Sequence, residues 1–215
     1  MKILRPEWSE PLAAADWDES LNDYSRYEER MEYKKFLNVR AEGMHFSRAE
    51  FFACSFENCK FGDSIFERFE FSNTLFLKSD FSNADLRGSY FKQCAFIACK
   101  WMGADLSESV IKELTAEECG FSYANLNGAK VQNASLKECD FSYAEIAMAK
   151  LKNTAFQKCD FTRVNFYTTS LKGIDFSDSK IEGIEISANF SELKGASVNT
   201  IQAADLIKNL GVNVK

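Results

Sequence analysis

The sequence carries one histidine in 215 residues, His45, and two prolines, Pro6 and Pro11, both near its start. A lone histidine excludes a multi-histidine metal centre, and its place one residue before Phe46 points it outward, which argues against a histidine-centred relay. No Walker loop, G-x-G-x-x-G, H-E-x-x-H or nucleophile elbow occurs, so no catalytic residue, no cofactor and no metal is expected. No stretch approaches the roughly 18 apolar residues of a membrane helix. The opening Met1-Lys2-Ile3-Leu4-Arg5-Pro6 lacks the apolar run of a secretory signal. A soluble, cytoplasmic protein without membrane contact is expected. The net charge of −6 is mild for this length, and 46% hydrophobic residues are ample for a core.

What is abundant is repetition. One clean unit is Ala84-Asp85-Leu86-Arg87-Gly88, centred on Leu86. Stepping by five from 46 to 186 gives 29 centres, all apolar: sixteen Phe, six Leu, four Ile, Val131, Trp101 and Ala116. Two residues before each centre stands Ala, Cys, Ser or Thr in 23 of the 29. A period of five fits neither the helix nor the strand template. One large and one small inward residue per five describe a flat side and a corner. Four sides close a coil of 20 residues, and coils stack like parallel strands at about 4.8 Å. The expected fold class is an all-β solenoid, a quadrilateral β-helix. Its axis is filled by centres such as Phe81, Leu86, Phe91, Phe96, Trp101, Leu106, Phe121, Leu126, Phe141 and Phe161. Two irregularities stand out. Phe69 occupies a small inward position and should bulge its corner, and Leu114 with Ala116 exchange large for small, marking a weak side.

The seven cysteines, Cys54, Cys59, Cys94, Cys99, Cys119, Cys139 and Cys159, all fall in the small inward column. Those from Cys99 to Cys159 would stack about 4.8 Å apart, wider than the roughly 3.8 Å between the Cβ atoms of a disulfide. They read as small buried hydrophobes.

Ser79-Asp80-Phe81-Ser82-Asn83, Ala104-Asp105-Leu106-Ser107-Glu108, Ala124-Asn125-Leu126-Asn127-Gly128 and Cys159-Asp160-Phe161-Thr162-Arg163 resemble the pattern of the pentapeptide-repeat family, A-(D/N)-L-x-x or its Phe-centred form. The resemblance spans roughly residues 44 to 188 and implies a right-handed coil. The tail from Leu193-Lys194-Gly195 to Leu210-Gly211-Val212 is similar to the C-terminal end of the Qnr-type quinolone-resistance proteins within that family. That likeness implies rods dimerised through this segment, which bind the type II topoisomerases gyrase and topoisomerase IV as DNA mimics and protect them from quinolones. The projecting loops of the Gram-negative Qnr proteins are missing here.

Three segments are expected. Residues 1–40 form an N-terminal arm or an imperfect first coil: Trp17, Leu21, Tyr24, Glu28 and Met31 follow helical spacing, whereas Met31 and Phe36 also keep the five-residue register. Residues 41–190 form the repeat coil. Residues 191–215 form a cap, with Asn199 and Gln202 as a capping box, Ile201, Ala204, Ile207 and Leu210 as one apolar stripe, and Gly211 as a stop. Val212 and Val214 then alternate with polar residues like a short strand. The helix is expected to cover the open end of the solenoid and to join two copies as a homodimer.

Function follows from the sides. Between 44 and 188 there are 20 acidic and 16 basic residues. The sides centred on Leu86 and Phe76 each carry about −3, that on Phe81 about −1, and that on Phe91 about +3 through Lys92, Lys112, Lys130, Lys150, Lys152 and Lys172. Asp85, Asp105, Glu108 and Glu145 are the candidate contacts to a DNA-gripping protein surface. Asp80, Asp140 and Asp160 share a column with Lys60, Lys100 and Lys180 and read as an ion-pair ladder. Leu75, Leu77 and Ile97, with Ala95 and Ala98, form an outward apolar patch, either covered by the N-terminal arm or open to a partner. The alternative function is a rigid β-helical interaction scaffold with no topoisomerase role. Direct nucleic-acid binding is not expected, because the lysines lack interleaved aromatics.

Overall fold

The computed structural model describes residues 6–21, 30–208 and 212–213. Tyr24, Glu28, Leu210, Gly211 and Val214 lie outside them. The chain is a right-handed quadrilateral β-helix, the hand that parallel crossovers take, and its strands pair in parallel with residues 20 positions on. Two sides are regular strands. One ladder runs through Met31, Phe51, Phe71, Phe91, Ile111, Val131 and Leu151. The other runs through Phe36, Phe56, Phe76, Phe96, Ala116, Leu136 and Phe156. The remaining two sides hold together mainly through single bridges, as in Arg40–Lys60–Asp80–Lys100 and Asp85–Asp105–Asn125–Glu145, with one short strand pair, His45–Phe46 against Ile65–Phe66.

The corner lies two residues after each centre. There the backbone turns into the left-handed region, at Asn58 (φ 53°), Asp63 (58°), Arg68 (56°), Asn73 (50°), Asn83 (57°) and Gly88 (66°). An ordinary residue loses about 1–2 kcal/mol in that conformation. Burying one large centre per side contributes about 1.5–3 kcal/mol and offsets it. Corner N–H groups bond to the next coil, as Asn58 does to the Leu77 carbonyl at 2.9 Å.

Inside, the aromatic centres stack: Phe36–Phe56 at 4.8 Å, Phe56–Phe76 at 5.2 Å, and Phe121–Phe141 at 4.9 Å between near-parallel rings. The small column fills between them, and its hydroxyls and thiols donate to carbonyls of the preceding coil: Ser79 to Phe56 at 3.1 Å and Cys99 to Phe76 at 3.3 Å. All seven cysteines are free and buried. Burial pushes the Cys54 thiol up to about 11 and the Cys94 thiol to about 12. Phe69 does not bulge its corner. It is fully buried, edge-on to Phe66 at 5.0 Å, because its column neighbours Ala49 and Ser89 leave the room, and the Glu50–Glu70–Tyr90 register is unbroken. Leu114 and Ala116 are both buried, so the exchanged pair still fills its side.

The two ends are closed differently. The N-terminal arm is part helix, at 17–21, and part coil, since Met31–Glu32 and Lys34–Leu37 already pair with the following turn and Ala13–Ala14 adds a strand outside them. Trp17 plugs the core there, with its ring centroid 5.0–6.0 Å from those of Phe36, Phe46, Phe51, Phe56 and Phe61. At the other end the helix Thr200–Lys208 carries the expected capping box: Gln202 N–H donates to Asn199 Oδ1 at 3.0 Å, and Asn199 N–H to Gln202 Oε1 at 2.8 Å. The apolar stripe does not cover the end. The buried Gln202 does, donating to the carbonyls of Phe176 and Ser179 at 2.8 and 2.6 Å, with Leu206 packed beside it, because a coil end presents unpaired carbonyls that only a donor satisfies. Ile201 and Ile207 face outward, at 76% and 42% exposure.

Candidate functional site

The repeat places Asp or Asn immediately before many centres, and the reason is local. The side-chain oxygen accepts the N–H two residues on: Ser82 to Asp80 at 3.0 Å, Ser107 to Asp105 at 2.9 Å, Asn127 to Asn125 at 3.0 Å, Ser142 to Asp140 at 2.8 Å and Tyr167 to Asn165 at 2.9 Å. Aspartate and asparagine perform this equally. A carboxylate at such a position therefore adds a negative charge that the fold does not require.

On the side centred on Leu86 this position forms the column Asp85, Asp105, Asn125, Glu145, Asn165, Glu185, one residue per coil. Asp85 and Asp105 are half-buried and Glu145 is exposed; Glu108 is exposed at a left-handed corner (φ 57°). The structure thus brings three candidates into one ladder and sets Glu108 beside it. Asn165 donates to Glu145 at 2.8 Å. Arg87 is the feature that residue counting overlooked. Its guanidinium lies 2.7 Å from Asp85 and 3.8 Å from Asp105, and its hydrogen bonds hold the Asp85 carboxyl below the ordinary carboxylate range. With Arg48 and Arg68 on the same side, the N-terminal half is not acidic. The negative charge is concentrated in the C-terminal half, at Asp105, Glu108, Glu145 and Glu185. An open groove of about 810 Å³ runs between Arg48, Arg68 and Arg87 and the acids Glu67, Asp85 and Glu108.

The apolar candidates are not an open patch. Leu75, Leu77, Ile97 and Ala98 are half-buried and Ala95 is fully buried. The N-terminal arm is fastened at the corner that opens this side, where Trp8 Nε1 donates to the Asn73 carbonyl at 3.1 Å and Asn73 donates to the Glu7 carbonyl at 2.9 Å. Of the Asp/Lys column, Lys180 pairs with Asp160 at 2.8 Å, the ion pair formed within it among the described residues. The exposed aromatics are elsewhere. Tyr123 and Tyr143 stack at 5.0 Å with Arg163 over the second ring, and Met148 and Tyr167, joined by a backbone hydrogen bond of 2.9 Å, are exposed as well. The spacing of 20 between Tyr123 and Tyr143 was visible in the sequence. Among the described residues no group of three acidic, histidine or cysteine side chains could hold a metal, and no helix is long and apolar enough to cross a membrane.

The family model of the pentapeptide repeat region matches residues 44–121 and 112–186. No curated protein matches by sequence. Among solved structures, the chain is similar to a trypsin-treated variant of QnrB1, a plasmid-mediated fluoroquinolone resistance protein, with 18% identity over 84% of this chain and 99% of that one (TM-score 0.46). It is also similar to HetL of the cyanobacterium Nostoc sp. strain PCC 7120, a pentapeptide repeat protein involved in heterocyst differentiation regulation, with 15% identity over 85% and 94% (TM-score 0.38). A third is Rfr23 of Cyanothece 51142, with 14% identity over 85% and 100% (TM-score 0.22).

Proposed function

Since this chain belongs to the pentapeptide-repeat family, we propose that it acts by binding rather than catalysis, and that its partner is a type II topoisomerase, gyrase or topoisomerase IV. It engages the DNA-binding surface of that enzyme as a DNA mimic and protects it from quinolones. The observation that carries this reading is the column Asp85, Asp105, Asn125, Glu145. Where asparagine serves the fold equally well, two of the four positions hold aspartate and a third glutamate, so carboxylates are displayed along a stiff rod in steps of one or two coils of about 4.8 Å, the first of them paired with Arg87. Negative charge in that arrangement suits a surface built to hold phosphates. The reading includes a homodimer through the C-terminal end, supported by the outward Ile201, Ile207 and Val212, at 76%, 42% and 51% exposure.

The test is a gyrase supercoiling assay with a fluoroquinolone, titrated with this protein. Protection or direct inhibition is expected, and reversal of Asp105 and Glu108 to Lys should abolish either effect. Unchanged gyrase activity at all concentrations would sink the reading. The second reading, a scaffold for some other protein, is favoured by the exposed Tyr123, Tyr143, Met148 and Tyr167, residue types over-represented at interfaces. Partner capture lost in Tyr143→Ser but kept in the Asp105→Lys/Glu108→Lys variant would support it.

A further inference from the structure

The side centred on Phe91 is the strand face that the topoisomerase reading leaves without a role. In register, Lys92 pairs with Lys112, Lys112 with Gln132 and Gln132 with Lys152, and Lys130 pairs with Lys150, so the lysines form two adjoining columns on one flat face, with Lys172 following Lys152 at the same 20-residue spacing in the turn beyond the last strand. Lys92, Lys130, Lys150, Lys152 and Lys172 are exposed and Lys112 is half-buried. None of the six makes an ion pair among the described residues, whereas Lys35, Lys158, Lys180 and Lys208 on other surfaces do. Like charges set directly opposite in neighbouring strands are unfavourable. The fold does not need them, because Tyr90, Val110 and Gln132 occupy equivalent outward positions.

We propose that this face docks an acidic α-helix of a protein partner, laid along the rod axis with its carboxylates on the two lysine columns. The dimensions select the occupant. The flat part of a side is about three extended residues, or 10 Å, wide, which matches an α-helix about 10–12 Å across. A helix brings round an acidic residue every turn, about 5.4 Å, against about 4.8 Å per coil, so over the four coils from Lys92 to Lys172 the mismatch stays near 2 Å, within the reach of a lysine. Half-buried Tyr90 and Val110, with Lys112 Nζ 5.6 Å above the Tyr90 ring, give one end of the strip an apolar foothold for an anchoring side chain. The flanking sides, centred on Leu86 and Phe76, are both net negative. A wider polyanion such as duplex DNA would overlap them and be repelled.

The experiment uses the full chain and fluorescence anisotropy with a labelled helical peptide of about 20 residues bearing glutamates at i, i+3, i+4 and i+7 spacing. The same peptide with lysine for glutamate, and single- and double-stranded oligonucleotides, run in parallel. The glutamate peptide should bind, weaken about tenfold between low and physiological salt, and lose at least tenfold in affinity to Lys150→Glu/Lys152→Glu. That variant alters only exposed positions, and an unchanged Tm verifies its fold. The lysine peptide should not bind. Absence of peptide binding, equal binding to the variant, tighter binding of either oligonucleotide, or competition between peptide and self-association in sedimentation would each overturn the proposal, the last by naming a second copy as occupant. None of these outcomes depends on topoisomerase binding.

Discussion

Arg87 Nη2 stands 2.7 Å from Asp85 Oδ2, so the acidic column begins with a neutralised member. Replacing Arg87 by Ala should uncover Asp85 and Asp105 together. If the acidic side engages a phosphate-gripping surface, Arg87→Ala strengthens the effect on gyrase several-fold and steepens its salt dependence, because charges at a rim act mainly on the rate of encounter. Titration of supercoiling at two ionic strengths measures it. The arginine is exposed, so the Tm should not move. A weaker effect would mean that Arg87 itself contacts the partner.

Much of this molecule was legible as sequence, because a five-residue period with one large and one small inward residue has few solutions. The spacing by fives alone puts Phe81, Leu86 and Trp101 on the axis, where they are buried, and Asn199 with Gln202 reads as the capping box that forms. The site was less legible, since its charge is set by pairs that counting cannot see. Arg87 adds one to a tally, whereas in space it clamps two of the four candidate acids. The ends resisted for a related reason. Trp17 and Gln202 lie outside the repeat, and their partners are the exposed ring edges and carbonyls of a coil end, features that exist only after stacking.

Trp17 makes the N-terminal end testable. Its side chain is 5% exposed among five phenylalanine rings, and its indole N–H finds no acceptor among the described residues. Trp17→Ala should cost about 3–5 kcal/mol and open the first coils. Trp17→Phe also removes the unsatisfied donor and should cost far less. Urea unfolding of both variants measures the difference; similar losses would show that the ring is not a packed plug.

The cysteine column predicts thiol silence. With Cys54 pushed up to about 11 and Cys94 to about 12 by burial, neither supplies thiolate at neutral pH. A thiol-specific chromogenic reagent should report almost no reaction with the native protein at pH 8 and all seven thiols after denaturation. Rapid native labelling, or an oxidised fraction, would contradict the stacked arrangement.

Glu192 closes the last turn. It is buried, and its carboxylate accepts the Thr168 N–H at 2.9 Å and the Ser187 hydroxyl at 2.6 Å. Burial alone would raise its pKa, yet these bonds from Ser187 and Thr168 hold it below its ordinary value of 4.5. A carboxyl lowered in the folded state stabilises above the unfolded value and loses that contribution as pH falls through the folded one. Glu192→Gln should therefore lower the Tm at pH 7, and the gap to the unmodified chain should narrow as pH drops below about 4.5. A gap constant from pH 7 to pH 3 would assign the effect to packing rather than charge.

Leu114 and Ala116 test whether the repeat is a rule of volume or of position. Both are buried, at 3% and 0% exposure, with the large residue in the small column, and an apolar void of about 30 Å³ lies against Leu114. Ala116→Leu alone overpacks a filled side and should cost about 1–3 kcal/mol. Leu114→Ala alone enlarges the void and should cost about 2–5 kcal/mol. The double variant Leu114→Ala/Ala116→Leu restores the regular order, with the leucine now on the centre ladder between Phe96 and Leu136. Its stability by urea unfolding should lie well above the sum of the single losses, since residues sharing one space couple strongly. Simple additivity would mean that each position has its own fixed packing demand, and that the inward columns are not interchangeable by volume.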